Sequence, residues 1–83
     1  GLSAFPNPTT DRGRVVFGLA EAGDVRVSLL DVTGREVARL ADGPRPAGRQ
    51  ELPFDATPLA AGVYVVLVAS RAGTAALRVT VAR

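Results

Sequence analysis

Residues 62–70 read Gly-Val-Tyr-Val-Val-Leu-Val-Ala-Ser. In an extended chain Val63, Val65 and Leu67 share one face, and Tyr64, Val66 and Val68 share the other. Both rows are apolar, so the stretch predicts a central strand covered on both faces. Leu59-Ala60-Ala61 comes just before it, after Thr57-Pro58. Leu59 reads as a plug that folds back into the core, and Gly62 as the residue that lets the backbone turn sharply from the plug into the strand. Tyr64 can bury its ring while its hydroxyl finds a backbone partner near the end of a sandwich.

The rest of the chain repeats this punctuation. Turn residues recur about every eight to twelve positions with alternating segments between them, the pattern of an all-β sandwich or barrel. After the central strand, residues 70–73 predict a hairpin turn. Ala75, Leu77, Val79 and Val81 then alternate with Ala76, Arg78, Thr80 and Ala82 in a final strand that runs to Arg83. Before it, residues 14–19 predict a strand with Val15 and Phe17 on one face and Val16 on the other, and residues 21–24 a turn. Residues 25–30 predict a half-buried strand, with Val25, Val27 and Leu29 inward and Arg26 and Ser28 outward.

Residues 31–34, Asp-Val-Thr-Gly, predict a hairpin turn in which Asp31 caps backbone N–H groups and Gly34 takes the left-handed position before a bulge. Residues 35–41 form the return strand. Val37 and Leu40 do not alternate there, which predicts a bulge or an exposed edge. Residues 42–47 read as a polar loop, and residues 48–54 as a strand with Leu52 and Phe54 inward and Pro53 marking an edge. Pro6 and Pro8 each remove a ladder donor, so residues 4–8 fit an extended edge segment. The sum is a single domain, residues 1–83, with an immunoglobulin-like or fibronectin III-like β-sandwich of about seven antiparallel strands. A small barrel is the alternative architecture. The chain starts at Gly1 without methionine and reads as a piece of a longer secreted protein.

Composition removes several functions. The 83 residues contain no His, Lys, Cys, Met or Trp. Transition-metal sites lose their usual ligands, nucleophile–histidine catalysis loses its base, and Schiff-base and phosphate-loop lysines are absent. Eight carboxylates remain, but they lack calcium-loop spacing and mostly lie within three residues of a glycine, in expected turns. The expectation is a domain that is not an enzyme and holds no cofactor or metal. The net charge is +2, with ten arginines spread singly. Nucleic-acid binding calls for a clustered basic patch. The four aromatic residues, Phe5, Phe17, Phe54 and Tyr64, read as core, which also disfavours a carbohydrate-binding module. No apolar run approaches the ~18 residues of a membrane helix, so no membrane insertion is expected, and the N-terminus carries no signal-peptide pattern.

Four motifs occur in order: Pro6-Asn7-Pro8; Asp31, Gly34, Arg35 and Val37 in DVTGREV; Leu59, Gly62 and Tyr64 in LAAGVYVV; and a basic-spaced terminal strand of Arg78, Val79, Thr80, Val81, Ala82 and Arg83. Together they resemble the type A C-terminal sorting domain of the type IX (Por) secretion system. The DVTGREV and GVY pieces are also similar to the immunoglobulin-like domain of the flagellar hook-capping protein, which would make this a structural assembly domain. The sorting resemblance implies a non-catalytic signal domain. Such domains follow an N-terminal cargo and fold in the periplasm. The outer-membrane translocon recognises them, and a sortase-like protease commonly removes them as the cargo reaches the cell surface or the medium. A variant of this reading keeps the domain in place as a surface-attachment module of a secreted multidomain enzyme such as a glycoside hydrolase. The first three motifs read as mainly structural, and Arg78–Arg83 as the recognised element, accessible to strand addition as an exposed edge. The family's terminal motif usually carries lysines. Arg78 and Arg83 stand in those places, keeping the charge without the compact ammonium.

Overall fold

The computed structural model describes residues 1–83. Seven strands follow one another with no helix between them: β1 (Ser3–Phe5), β2 (Arg12–Leu19), β3 (Gly23–Leu30), β4 (Glu36–Arg45), β5 (Gly48–Asp55), β6 (Gly62–Ser70) and β7 (Gly73–Val81). They form two antiparallel sheets, β1-β2-β5 and β4-β3-β6-β7. This is the expected immunoglobulin-like sandwich and not a barrel.

The core follows from the two-residue period. Val15 and Phe17 of β2 and Leu52 and Phe54 of β5 point inward from the smaller sheet. They meet Val25, Val27 and Leu29 of β3, Tyr64, Val66 and Val68 of β6, and Val79 and Val81 of β7. Ladder register aligns these rows: Val15 lies opposite Leu52, Val27 opposite Val68, and Tyr64 opposite Val79. Burying a side chain of this size stabilises by roughly 1.5–3 kcal/mol, and with no cysteine present this packing is the main source of stability.

Several expectations are corrected. β6 is central in its sheet, but only its Tyr64, Val66 and Val68 row enters the core. Val63 is 38% exposed, and Val65 and Leu67 are half-buried on the outer face. That row packs sideways, with Leu67 between Ser28 and Ala76 and Val65 between Leu30 and Arg78, because no third layer covers it. Ser28 is on the outer face as expected, yet it is buried. The polar loop expected at 42–47 is mostly strand: β4 continues to Arg45, with Asp42 opposite Arg26 and Pro44 opposite Asp24. Pro44 is tolerated because β4 is an edge and the missing donor would face solvent. The bulge expected in this hairpin is present as register shifts after Val27 and after Leu29.

β3 starts at Gly23, inside the expected turn, and β7 stops at Val81, before the chain's end. Leu59 packs against the core as expected but stays half-buried, and the fully buried residue of this connection is Ala56, whose N–H donates to the Asp11 carbonyl (2.7 Å). Phe5 is not core: its register partner is Arg14 on the outer face, and the Arg14 guanidinium sits 4.7 Å from its ring centroid.

Gly13 faces inward opposite Phe54. A Cβ there would lie 2.7 Å from the buried Phe54 ring and 3.3 Å from the Phe5 carbonyl oxygen. Replacing glycine with alanine stabilises by about 0.4–1 kcal/mol where the backbone allows it, but overpacking a filled site costs about 1–3 kcal/mol. Gly13→Ala is therefore expected to lower stability by about 1–2 kcal/mol, read as a lower urea midpoint at unchanged m-value.

Candidate functional site: the strapped terminal strand

After Phe5 the chain leaves the smaller sheet. Prolines on both sides of Asn7 leave few backbone donors in this segment, and the Asn7 side chain supplies the missing pairing. Its amide Nδ2 donates to the Arg78 carbonyl (3.2 Å), and its Oδ1 accepts the Thr80 N–H (3.0 Å). A primary amide thus stands where a peptide unit of a neighbouring strand would stand. Thr9 continues the pairing with its backbone. Its N–H donates to the Thr80 carbonyl (2.8 Å), and its carbonyl accepts the Ala82 N–H (2.9 Å), around a parallel bridge between Thr9 and Val81. Thr9 is fully buried, and its hydroxyl donates to the Pro6 carbonyl. Residues 6–9 are therefore a strap along the second half of β7. The free edge expected at Arg78–Arg83 is already filled.

The terminal residues divide into three roles. Val79 and Val81 are core. Arg83 folds back, its guanidinium donating to the carbonyls of Thr10, Ala56, Thr57 and Leu59. Arg78 projects from the outer face, exposed and without an ion-pair partner, with Thr80 and Ala82 half-buried beside it.

The other motifs build corners. Asp31 Oδ1 accepts the N–H groups of Thr33 (2.9 Å) and Arg35 (3.1 Å) and the Thr33 hydroxyl (2.5 Å). The Gly34 N–H closes the turn on the Asp31 carbonyl (3.0 Å), with Gly34 at φ 88°. Arg35 pairs with the Asp31 carboxylate at 3.4 Å, and Val37 packs against the core. Tyr64 donates its hydroxyl to the Ala60 carbonyl (2.7 Å), pinning the chain that enters β6 through Gly62. This is the tyrosine-corner arrangement of such sandwiches. The ladder registers place the 31–35 turn, the Gly62 corner, the strap and the C-terminus at one end of the sandwich. Gly1 lies at the other end, beside Ala72 and Gly73.

Sequence reasoning found the motif positions but missed the strap, the Arg83 clasp and Ala56. An asparagine held between two prolines was the available signal for the strap. Electrostatically, the carboxyls of Asp31 and Asp55 are held below their ordinary 3.8, in each case chiefly by the threonine hydroxyl two residues on. Glu36 is lowered first by Ser28 and then by Arg39. No cluster of three or more His, Cys, Asp or Glu side chains occurs.

The architecture and the gathered motifs define an all-β sandwich domain with its distinctive surface at the strapped C-terminal end. A family model described as the secretion system C-terminal sorting domain matches residues 3–82. The chain belongs to this family, the C-terminal sorting signals of the type IX secretion system. It is thus a domain of secreted, cell-surface or extracellular proteins that works with the secretion machinery and an N-terminal cargo. Neither the curated proteins nor the solved structures contain a match.

Two predictions follow from this geometry. Asn7→Ala removes two exposed hydrogen bonds and is expected to cost about 1 kcal/mol, with faster hydrogen exchange at the Thr80 amide while amides of β3 stay protected. An unchanged Thr80 rate would contradict the strap. The second concerns acid. Because the Asp31 and Asp55 carboxyls are lowered in the folded state, their contribution is complete above the unfolded value near 3.8 and is lost as pH falls through the lower folded values. The Asp31→Asn, Asp55→Asn double variant is expected to show a flatter stability profile below about pH 4 than the parent, measured by urea titration at each pH.

Proposed function

We propose that this domain is a non-catalytic address that folds in the periplasm and is read at its strapped end by the outer-membrane translocon. The cargo joined to its N-terminus is then carried to the cell surface or the medium, where a sortase-like protease removes the domain. The observation that carries this reading is the sorting-family match over residues 3–82. In this reading Arg78, Val79, Thr80, Val81, Ala82 and Arg83 are the recognised element, together with the exposed Pro6, Asn7 and Pro8 that lie along it. The exposed, unpaired guanidinium of Arg78 supports a contact with an acidic surface. Val79 and Val81 take part by holding the segment in register, and Arg83 by anchoring its end.

The test fuses the chain to the C-terminus of a fluorescent cargo bearing a signal peptide, in a type IX-competent bacterium and in its translocon-deficient mutant. Cargo is expected at the surface or in the medium only with the domain and only in the competent strain, and its size reports removal. Deleting residues 78–83 would also delete core, so the recognition step is tested with Arg78→Glu. This exposed change is expected to leave the melting temperature within a few degrees and lower export about tenfold or more, the effect of losing roughly 1.4 kcal/mol. Undiminished export by Arg78→Glu would remove Arg78 from the recognised surface, and domain-independent export would overturn the sorting role.

A further inference from the structure

The four sheet edges are unequally guarded. An open strand edge is a template for pairing with another chain, and proteins blunt it with short strands, prolines, charges or bulges. β1 has three residues and runs into Pro6. β5 carries Pro53 and, on its outer face, Arg49 and Glu51, with Arg14 and Arg49 both near Glu51 (3.7 and 3.9 Å). β4 has two register shifts, Pro44, and Arg39 bridging Glu36 (3.0 Å) and Asp42 (3.2 Å). The second half of β7 is closed by the strap.

The first half of β7 has none of these devices. Thr74, Ala75, Ala76 and Leu77 bring no charge and no proline, and their register with β6 is unbroken. The backbone groups of Arg78, Thr80 and Ala82 face away from β6, onto the strap. With a period of two, those of Thr74 and Ala76 face the same way, and no backbone or side-chain hydrogen bond reaches them from outside the ladder. The reason is topological: β1 lies in the other sheet over this length, and the chain crosses to β7 only at Pro6–Thr9. The gap left between the sheets is a groove of about 290 Å³, lined by Leu2, Phe17, Leu19, Val68 and Ala75. Arg71 and Arg78 bracket the open edge, and no acidic residue occurs after Asp55.

We propose that residues 74–77 are a docking edge for an extended strand of a partner protein. The strand pairs with the main chain of Thr74 and Ala76, places alternate apolar side chains over the groove, and carries acidic residues toward the two arginines. The proposal rests on the sorting reading, in that the partner is a component of the secretion machinery. A second copy of this chain fits less well. Pairing two such edges would bring the arginines of both copies together with no acidic residue to separate them, since none follows Asp55.

The test uses Ala76→Pro. It removes the outward N–H and leaves the bonds to β6 untouched, since those come from residues 75 and 77, and it is compared with Ala76→Ser in the cargo fusion. The expected result is at least a tenfold loss of exported cargo for Ala76→Pro, parental export for Ala76→Ser, and matching melting temperatures. Hydrogen exchange of the unmodified chain with detergent-solubilised translocon is expected to slow the Thr74 and Ala76 amides at least tenfold. This measurement decides the matter if Ala76→Pro proves unstable. Parental export by a stable Ala76→Pro, or unprotected amides, overturns the docking edge while leaving the sorting role intact if the parent is exported. Failure of the parent to be exported overturns the sorting reading and this inference with it. A concentration-dependent dimer on size exclusion that Ala76→Pro abolishes would assign the edge to self-pairing and overturn the partner strand.

Discussion

The pairing of the chain's beginning with its end is the constraint on which the site depends. Asn7 and Thr9 reach β7 across more than seventy residues of sequence, the two Asn7 bonds joining residues 71 and 73 positions apart. Closing a loop of that length is entropically costly, and exposed hydrogen bonds of this kind contribute about 0.5 kcal/mol each. They do not drive the closure alone. Val79 and Val81, on the same few residues of β7, are almost wholly buried, and each contributes roughly 1.5–3 kcal/mol. Burial brings the terminal strand into the sandwich, and the strap then sets what its outer edge presents.

The parts that were legible in the sequence are those where a single period carries the information. Leu52 and Phe54 alternate with the exposed Glu51, Pro53 and Asp55 and point inward, as do Val25, Val27 and Leu29. The Asp31–Gly34 turn follows from local chemistry alone, because a carboxylate can cap the next few N–H groups wherever the fold places it. Tyr64 found its backbone partner four residues upstream for the same reason.

The misreadings arose where sequence pattern is silent about neighbours. A strand apolar on both faces can lie between two layers or on the flank of one sheet. β6 is the second kind, its outer valines sheltered sideways by β3 and β7. Glycine and proline at 43 and 44 have loop composition, yet an edge strand tolerates both. Phe5 shows the limit from another side: a strand of three residues does not declare which of its faces is inward. The motifs of the site were visible one at a time, but their gathering at one end of the sandwich is a property of topology.

The two terminal arginines make this division of labour concrete. The last strand and the chain's end carry Arg78 and Arg83, and the guanidinium has a different role at each. At Arg83 four carbonyls converge on one side chain. A guanidinium brings five donors in a planar fork, whereas an ammonium brings three around one nitrogen. Arg83 is therefore matched to the irregular connection after β5 and is spent inside the domain. Arg78 has no such obligations, and its charge is available at the surface. The Arg78 carbonyl and the Thr80 and Ala82 N–H groups, however, are held by Asn7 and Thr9 only once both ends of the chain are in place. A partner that contacts Arg78 in its present setting consequently meets a surface that exists only in the folded domain, which is how a short terminal segment can report on the folding of the whole.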